Sequence, residues 1–187
     1  APDSRRAFWL VAVFGTATSF VTSAMAAHLP GLLQALGVAA GLAIAASALV
    51  GPAQVAARAV EFAASKRLRV HPLATARLAV ALHPLGGLVL LLVGGLGWVP
   101  AVFSVLHGAG NGLITIAKGT LPLVLFGASG YGQRQGVLAI GQRLAQAAAP
   151  FLLALVLERG GGGVALLITG ALSGIALLAL AGIKKTA

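Results

Sequence analysis

The chain has no cysteine among its 187 residues, only three acidic side chains, and few aromatics (5%). Without cysteine there is no disulfide framework, no thiolate metal site and no cysteine nucleophile. Charged residues make up 9% of the sequence against roughly 25% in soluble domains, while 59% is hydrophobic and the mean hydropathy is +1.00. A water-soluble fold of this composition would leave apolar surface uncovered. The net charge of +10 and the pI near 11.9 raise nucleic acid as a partner, but such a face would gather its basic residues among stacking aromatics. Here they fall between apolar runs, so no nucleic-acid partner is expected and the lipid bilayer accounts for them better.

What the chain does have is long apolar stretches. A helix needs about 20 mostly apolar residues to cross a hydrocarbon core about 30 Å thick. The sequence predicts an all-α membrane protein with six transmembrane helices, at roughly 7–29, 38–61, 73–95, 98–122, 132–156 and 163–183. Their separators are HLPGLLQALG, SKRLRVHP, GGLGWVP, LFGASGYG and the ERGGGG run. Nothing alternates with the ten-residue rhythm of a transmembrane barrel strand. Residues 1–6, APDSRR, read as a cytoplasmic linker or tail, 7–183 as a six-helix bundle, and 184–187 as a second cytoplasmic tail.

Lys and Arg are retained on the cytoplasmic side in short loops. Arg5 and Arg6, the group Arg58, Lys66, Arg67 and Arg69, the pair Lys118 and Arg134, and finally Lys184 and Lys185 all fall on one side of the six-span reading. Both termini are therefore expected inside. Lys118 and Arg134 sit near the inner boundary, where they can snorkel to headgroups, and read as topology markers. Most of the 26 glycines read as close-packing contacts between helices. Pro52, Pro84 and Pro150 are expected to kink their helices and free carbonyls that a neighbour must satisfy.

An ionisable group near the bilayer centre costs at least about 2.5 kcal/mol, so it needs a partner, a wet cavity or an escape to the interface. Arg143 lies halfway along the fifth span, too deep to snorkel, and shares a helix face with Gln146; Gln142 is adjacent. The alternative is a structural Arg satisfied by carbonyls. His107 and Asn111 are four apart in HGAGNG on the fourth span, a candidate pair for proton coupling and solute binding. A neutral histidine bonded to a carbonyl is the competing account. His83, directly before Pro84, reads as serving the carbonyls that proline frees. The hydroxyls Thr16, Thr18, Ser19, Thr22 and Ser23 suggest either packing or a face toward a wet path.

In its order of spans, loop lengths and charge, the chain resembles the carboxyl-terminal six-helix half of a major facilitator superfamily (MFS) transporter. The specific segment is GPAQVAARAVE, where Gly51, Gln54, Arg58 and Glu61 occupy the place of the family's cytoplasmic connection between the second and third helices. The GYGQRQG and AAAP elements also look like the family's eleventh helix. The resemblance implies a 3+3 inverted repeat and alternating access around a solute bound near the midplane, with Gly51, Gln54, Arg58 and Glu61 as a conformational-switch loop. It places spans one, two, four and five at the cavity, favouring Arg143, Asn111, Gln142, Gln146, Thr18 and Thr22 as solute-binding residues and His107 as the proton-coupling one. It also implies a partner, either an amino-terminal half not contained in this chain or a second copy.

The expectation is thus a secondary transporter of a small solute, anionic solutes included, in a bacterial inner membrane. No metal or cofactor is expected, since neither a phosphate-cradling glycine loop nor a ligand cluster occurs. Two other classes compete. A rhomboid-type protease would use Ser129 of GASG with HGAGN, but no histidine follows residue 107 to act as base. A non-catalytic assembly subunit is the other; no carbonyl filter sequence suggests a channel.

Overall fold

Ala and Leu, both strong helix formers, dominate the apolar runs, and in lipid every backbone group of a helix must be satisfied within its own segment. The computed structural model describes residues 2–68, 70–93 and 97–183, with side chains from residue 4 onward. Among them are six helices and no strand: α1 (Pro2–Ala35), α2 (Ala40–Ala48), α3 (Val50–Leu68), α4 (Pro72–Val93), α5 (Val99–Phe126) and α6 (Tyr131–Ala181). Taking α2 and α3 together, five helices are long and apolar enough to cross a membrane. This is the build of a multi-pass membrane protein.

The boundaries differ from the expected six separate helices in informative ways. The amino-terminal tail is already helical from Pro2, and α1 continues through the expected HLPGLLQALG separator to Ala35. Leu32 and Leu33 are fully buried there, and packing overrides the turn signal until Gly37, at φ 88°, ends the helix. The second expected span is divided at Leu49, because Pro52 has no N–H for the Ala48 carbonyl. Residues 51–61, expected at the inner end of the second span, are helical within α3, which runs on past Glu61 to Leu68. The fifth and sixth expected spans form the single α6 of 51 residues, interrupted by Gly161 at φ 75° and ψ −178°. Arg69, Lys184, Lys185, the tail 184–187 and the GGL of the expected GGLGWVP turn lie outside the described residues.

Gly161 reverses the chain. Gly141 faces Thr16, Ser23 bonds Gln146 and His28 bonds Pro150, so residues 131–160 run parallel to α1. Past Gly161 the order inverts, with Gly162 against Leu36 and Gly182 against Leu10.

Pro84 and Pro150 stay inside continuous helices, and Pro150 shows how its freed carbonyl is served. It leaves Gln146 O without an intrahelical donor, and Ser23 Oγ donates to that oxygen at 2.8 Å. Pro122 does the same to Lys118 O, which Gln135 Nε2 reaches at 2.9 Å. Arg77, which carries no cue in the sequence beyond its charge, donates to Leu180 O and Ile183 O at 2.9 and 3.0 Å and ties the end of α6 to α4. Arg134 donates to the carbonyls of Phe126, Gly127 and Ser129, so it caps the end of α5.

Small residues let α5 sit at the centre. Gly108 and Gly112, four apart, seat α3 so closely that a Cβ at either would come within 2.5 Å of Val50 O or Gln54 O. Two apolar clusters divide the bundle along its length. One gathers Phe14, Val80, Ile114 and Leu180, and the other Val21, Leu90, Phe103 and Leu166. Between them lies a belt of buried polar side chains: Thr18, Ser19, His83, His107 and Asn111.

Candidate functional site

A cavity of about 290 Å³ opens at the level of this belt. Thr22 of α1, Gln54 of α3, Asn111, Thr115 and Lys118 of α5, and Gln142, Arg143 and Gln146 of α6 line it. The helical register explains the grouping. Asn111, Thr115 and Lys118 are spaced four and three apart, as are Gln142 or Arg143 and Gln146, so each helix offers one polar stripe. A second cavity of about 210 Å³ adjoins it, sharing Thr22, Gln54 and Asn111 and adding Ser47 and His107.

Five of the six expected solute-binding residues, Arg143, Asn111, Gln142, Gln146 and Thr22, therefore meet around one concavity. His107 stands beside it. Thr18 does not face it: its hydroxyl is fully buried and donates to Phe14 O at 2.7 Å, in its own helix. Of the expected switch residues only Gln54 lines the cavity. Arg58 donates to Gln54 Oε1 at 3.2 Å, Glu61 accepts from Ser65 at 2.7 Å, and Gly51 is exposed.

Asn111 links the two cavities. Its Nδ2 lies 3.0 Å from His107 Nε2, and its Oδ1 lies 3.0 Å from Thr22 Oγ1, which is also 2.8 Å from Thr18 O. One hydroxyl proton thus faces two acceptors. A half-turn of the Asn111 amide would let Asn111 donate to Thr22 and accept from His107, leaving the Thr22 proton for Thr18 O. The network accommodates either tautomer of His107.

His83 departs from its expected role. It bonds no carbonyl; its ring stacks on that of His107 with centroids 4.6 Å apart, and both nitrogens are buried without a hydrogen-bond partner. The notch that receives it is Gly110, where a Cβ would lie 2.7 Å from the imidazole. It borders a third, largely apolar cavity of about 330 Å³ on the far side of α5. Sequence spacing carries no information on this contact, which joins two helices.

Lys118 is the residue whose role the sequence hid. Rather than snorkelling, it points inward: its Nζ donates to the buried Ser19 Oγ at 2.7 Å and borders the cavity. Arg143 NH1 donates to Gln146 Oε1 at 2.9 Å on the opposite wall. Ser129 lies in the connection after α5, about 28 Å of helix beyond His107 at 1.5 Å per residue. No group of three or more His, Cys, Asp or Glu gathers among the described residues to hold a metal. Compared with known proteins, the chain matches no family model and no curated protein.

Proposed function

We propose that the chain is one half of a secondary transporter of MFS type, moving a small solute by alternating access with both of its ends in the cytoplasm of a bacterial cell. The observation that carries this reading is the polar cavity at mid-height, built by side chains from α1, α3, α5 and α6. Isolated buried polar groups have packing explanations one at a time. Eight polar side chains converging on one concavity from four helices are the expected form of a solute site between helices.

In this reading α2 with α3 crosses once and α6 crosses twice, with its reversal at Gly161, giving six crossings. Arg143 contacts an anionic or strongly polar group of the solute. His107 takes up and releases the coupled proton, and Asn111 relays the change toward Thr22. The open side of α3 is where the second half docks: none of its residues is buried, and Val55, Val60 and Phe62 are exposed. The distance between Ser129 and His107 gives a protease reading no common site.

The test is uptake into proteoliposomes that hold the chain together with the second half this reading requires, an amino-terminal half or a second copy, over a panel of small labelled anions with a neutral sugar as control. Uptake of at least one anion above protein-free vesicles is expected. Arg143→Ala should lower it at least about tenfold, the size of one lost charge-assisted hydrogen bond. An Arg143→Ala protein that inserts normally and transports at the parent rate removes the assignment.

A further inference from the structure

The charges around the cavity do not balance. Lys118 brings three N–H donors and has one recorded partner, Ser19; Arg143 brings five and has one, Gln146. The whole sequence holds three acids, Asp3, Glu61 and Glu158; the side chain of Asp3 lies outside the described ones, and neither glutamate lines the cavity. The remaining lining groups are neutral: two hydroxyls, one Asn and three Gln among them. Two cations thus face one cavity, Arg143 exposed and Lys118 part-buried, with no anion among the described lining residues, and a charge withdrawn from water as that of Lys118 is ordinarily paired.

We infer that the cavity takes a small ligand carrying two negative charges, one met by Lys118 and one by Arg143. This rests on the transport reading above and narrows it: the solute is a dianion such as a dicarboxylate or a phosphate or sulfate group, and Lys118 is a binding residue rather than a topology marker. The geometry favours this class over a single carboxylate. Lys118 and Arg143 stand on different helices, α5 and α6, so one carboxylate satisfying Arg143 bidentately would leave the ammonium with Ser19 alone. Thr115, Gln142 and Gln54 add neutral donors for further oxygens. A volume of about 290 Å³ is that of roughly ten waters, enough for a ligand of this size and little more.

The full chain in a neutral maltoside detergent, free of phospholipid so that no headgroup phosphate competes, is heated with sulfate, succinate, acetate or chloride at constant ionic strength. Sulfate or succinate should raise the unfolding temperature saturably, with acetate and chloride at least about tenfold weaker. Lys118→Gln and Arg143→Gln should each weaken the dianion at least about tenfold, and Lys118→Arg should restore it. Restoration by Arg separates binding from a structural need for the Ser19 hydrogen bond. If acetate protects as well as succinate, or if Lys118→Gln binds like the parent while Arg143→Gln does not, the dianion is overturned and an anionic solute stands. If no anion protects and both variants behave as the parent, the anionic reading falls with it.

Discussion

Helices α3 and α5 are both long, both interrupted by small residues, and both contribute to the polar cavity, yet one lies at the centre of the bundle and the other on its margin. Fourteen residues of α5 are buried, and none of α3. Hydropathy does not separate them in the useful direction, because α3 is the less apolar of the two and still the more exposed. What separates them is where side chains are missing. Gly108, Gly110 and Gly112 each press against another helix, whereas Gly51 of α3 meets nothing within 4 Å. In lipid, where leucine gains little by leaving the acyl chains, close backbone approach selects the central helix.

The largest test of that contrast is a pair of single-methyl changes. Gly112→Ala puts a Cβ 2.5 Å from Gln54 O, a backbone atom that cannot swing away, and should cost about 1–3 kcal/mol. Gly51→Ala, in an open helical position, should instead add about 0.5–1 kcal/mol through helix propensity. Thermal unfolding in detergent reads both. Equal shifts of the same sign would dissolve the distinction between a seated and a free glycine.

A second pair compares polar residues of the two helices. Asn111 of α5 serves partners on both sides; Asn111→Leu strands the buried His107 Nε2, while Thr22 keeps Thr18 O, and should cost about 1–3 kcal/mol. On the proposed transport reading, solute uptake should fall with it. Gln54 of α3 has one recorded bond, from Arg58 at 3.2 Å, and Gln54→Leu should change stability by no more than about 0.5 kcal/mol. Were Gln54→Leu the more damaging, the cavity would be organised from its margin.

The same contrast shows how far the sequence was legible. Apolar length gave the helices, and the ERGGGG run marked the reversal within a few residues of Gly161. The deep polar residues Arg143, Gln142, Gln146, Asn111 and Thr22, which line one cavity, could be singled out because depth along a span can be counted. Rotation about a helix cannot be counted the same way. Lys118 lies close enough to an expected boundary to snorkel, and only packing shows it turned toward Ser19. The stacking of His83 on His107 and the capping of α6 by Arg77 likewise depend on neighbours in space. Thr18 shows the same limit from the other side: its hydroxyl, in the polar stretch of α1, bonds a carbonyl of its own helix.

The smallest energetic effect comes with the most direct view of the margin. The chain contains no cysteine, so a single one can be placed without background. Val60 of α3 is 68% exposed and Ala117 of α5 is fully buried. Val60→Cys should change stability by no more than about 0.5 kcal/mol. In detergent a membrane-permeant maleimide should label it readily and leave Ala117→Cys almost untouched. On the proposal that a second six-helix half docks on α3, Val60→Cys should become protected in native membranes. Labelling as fast in the native membrane as in detergent would mean that lipid covers this face, and the open side of the cavity would then need a different partner surface to close it.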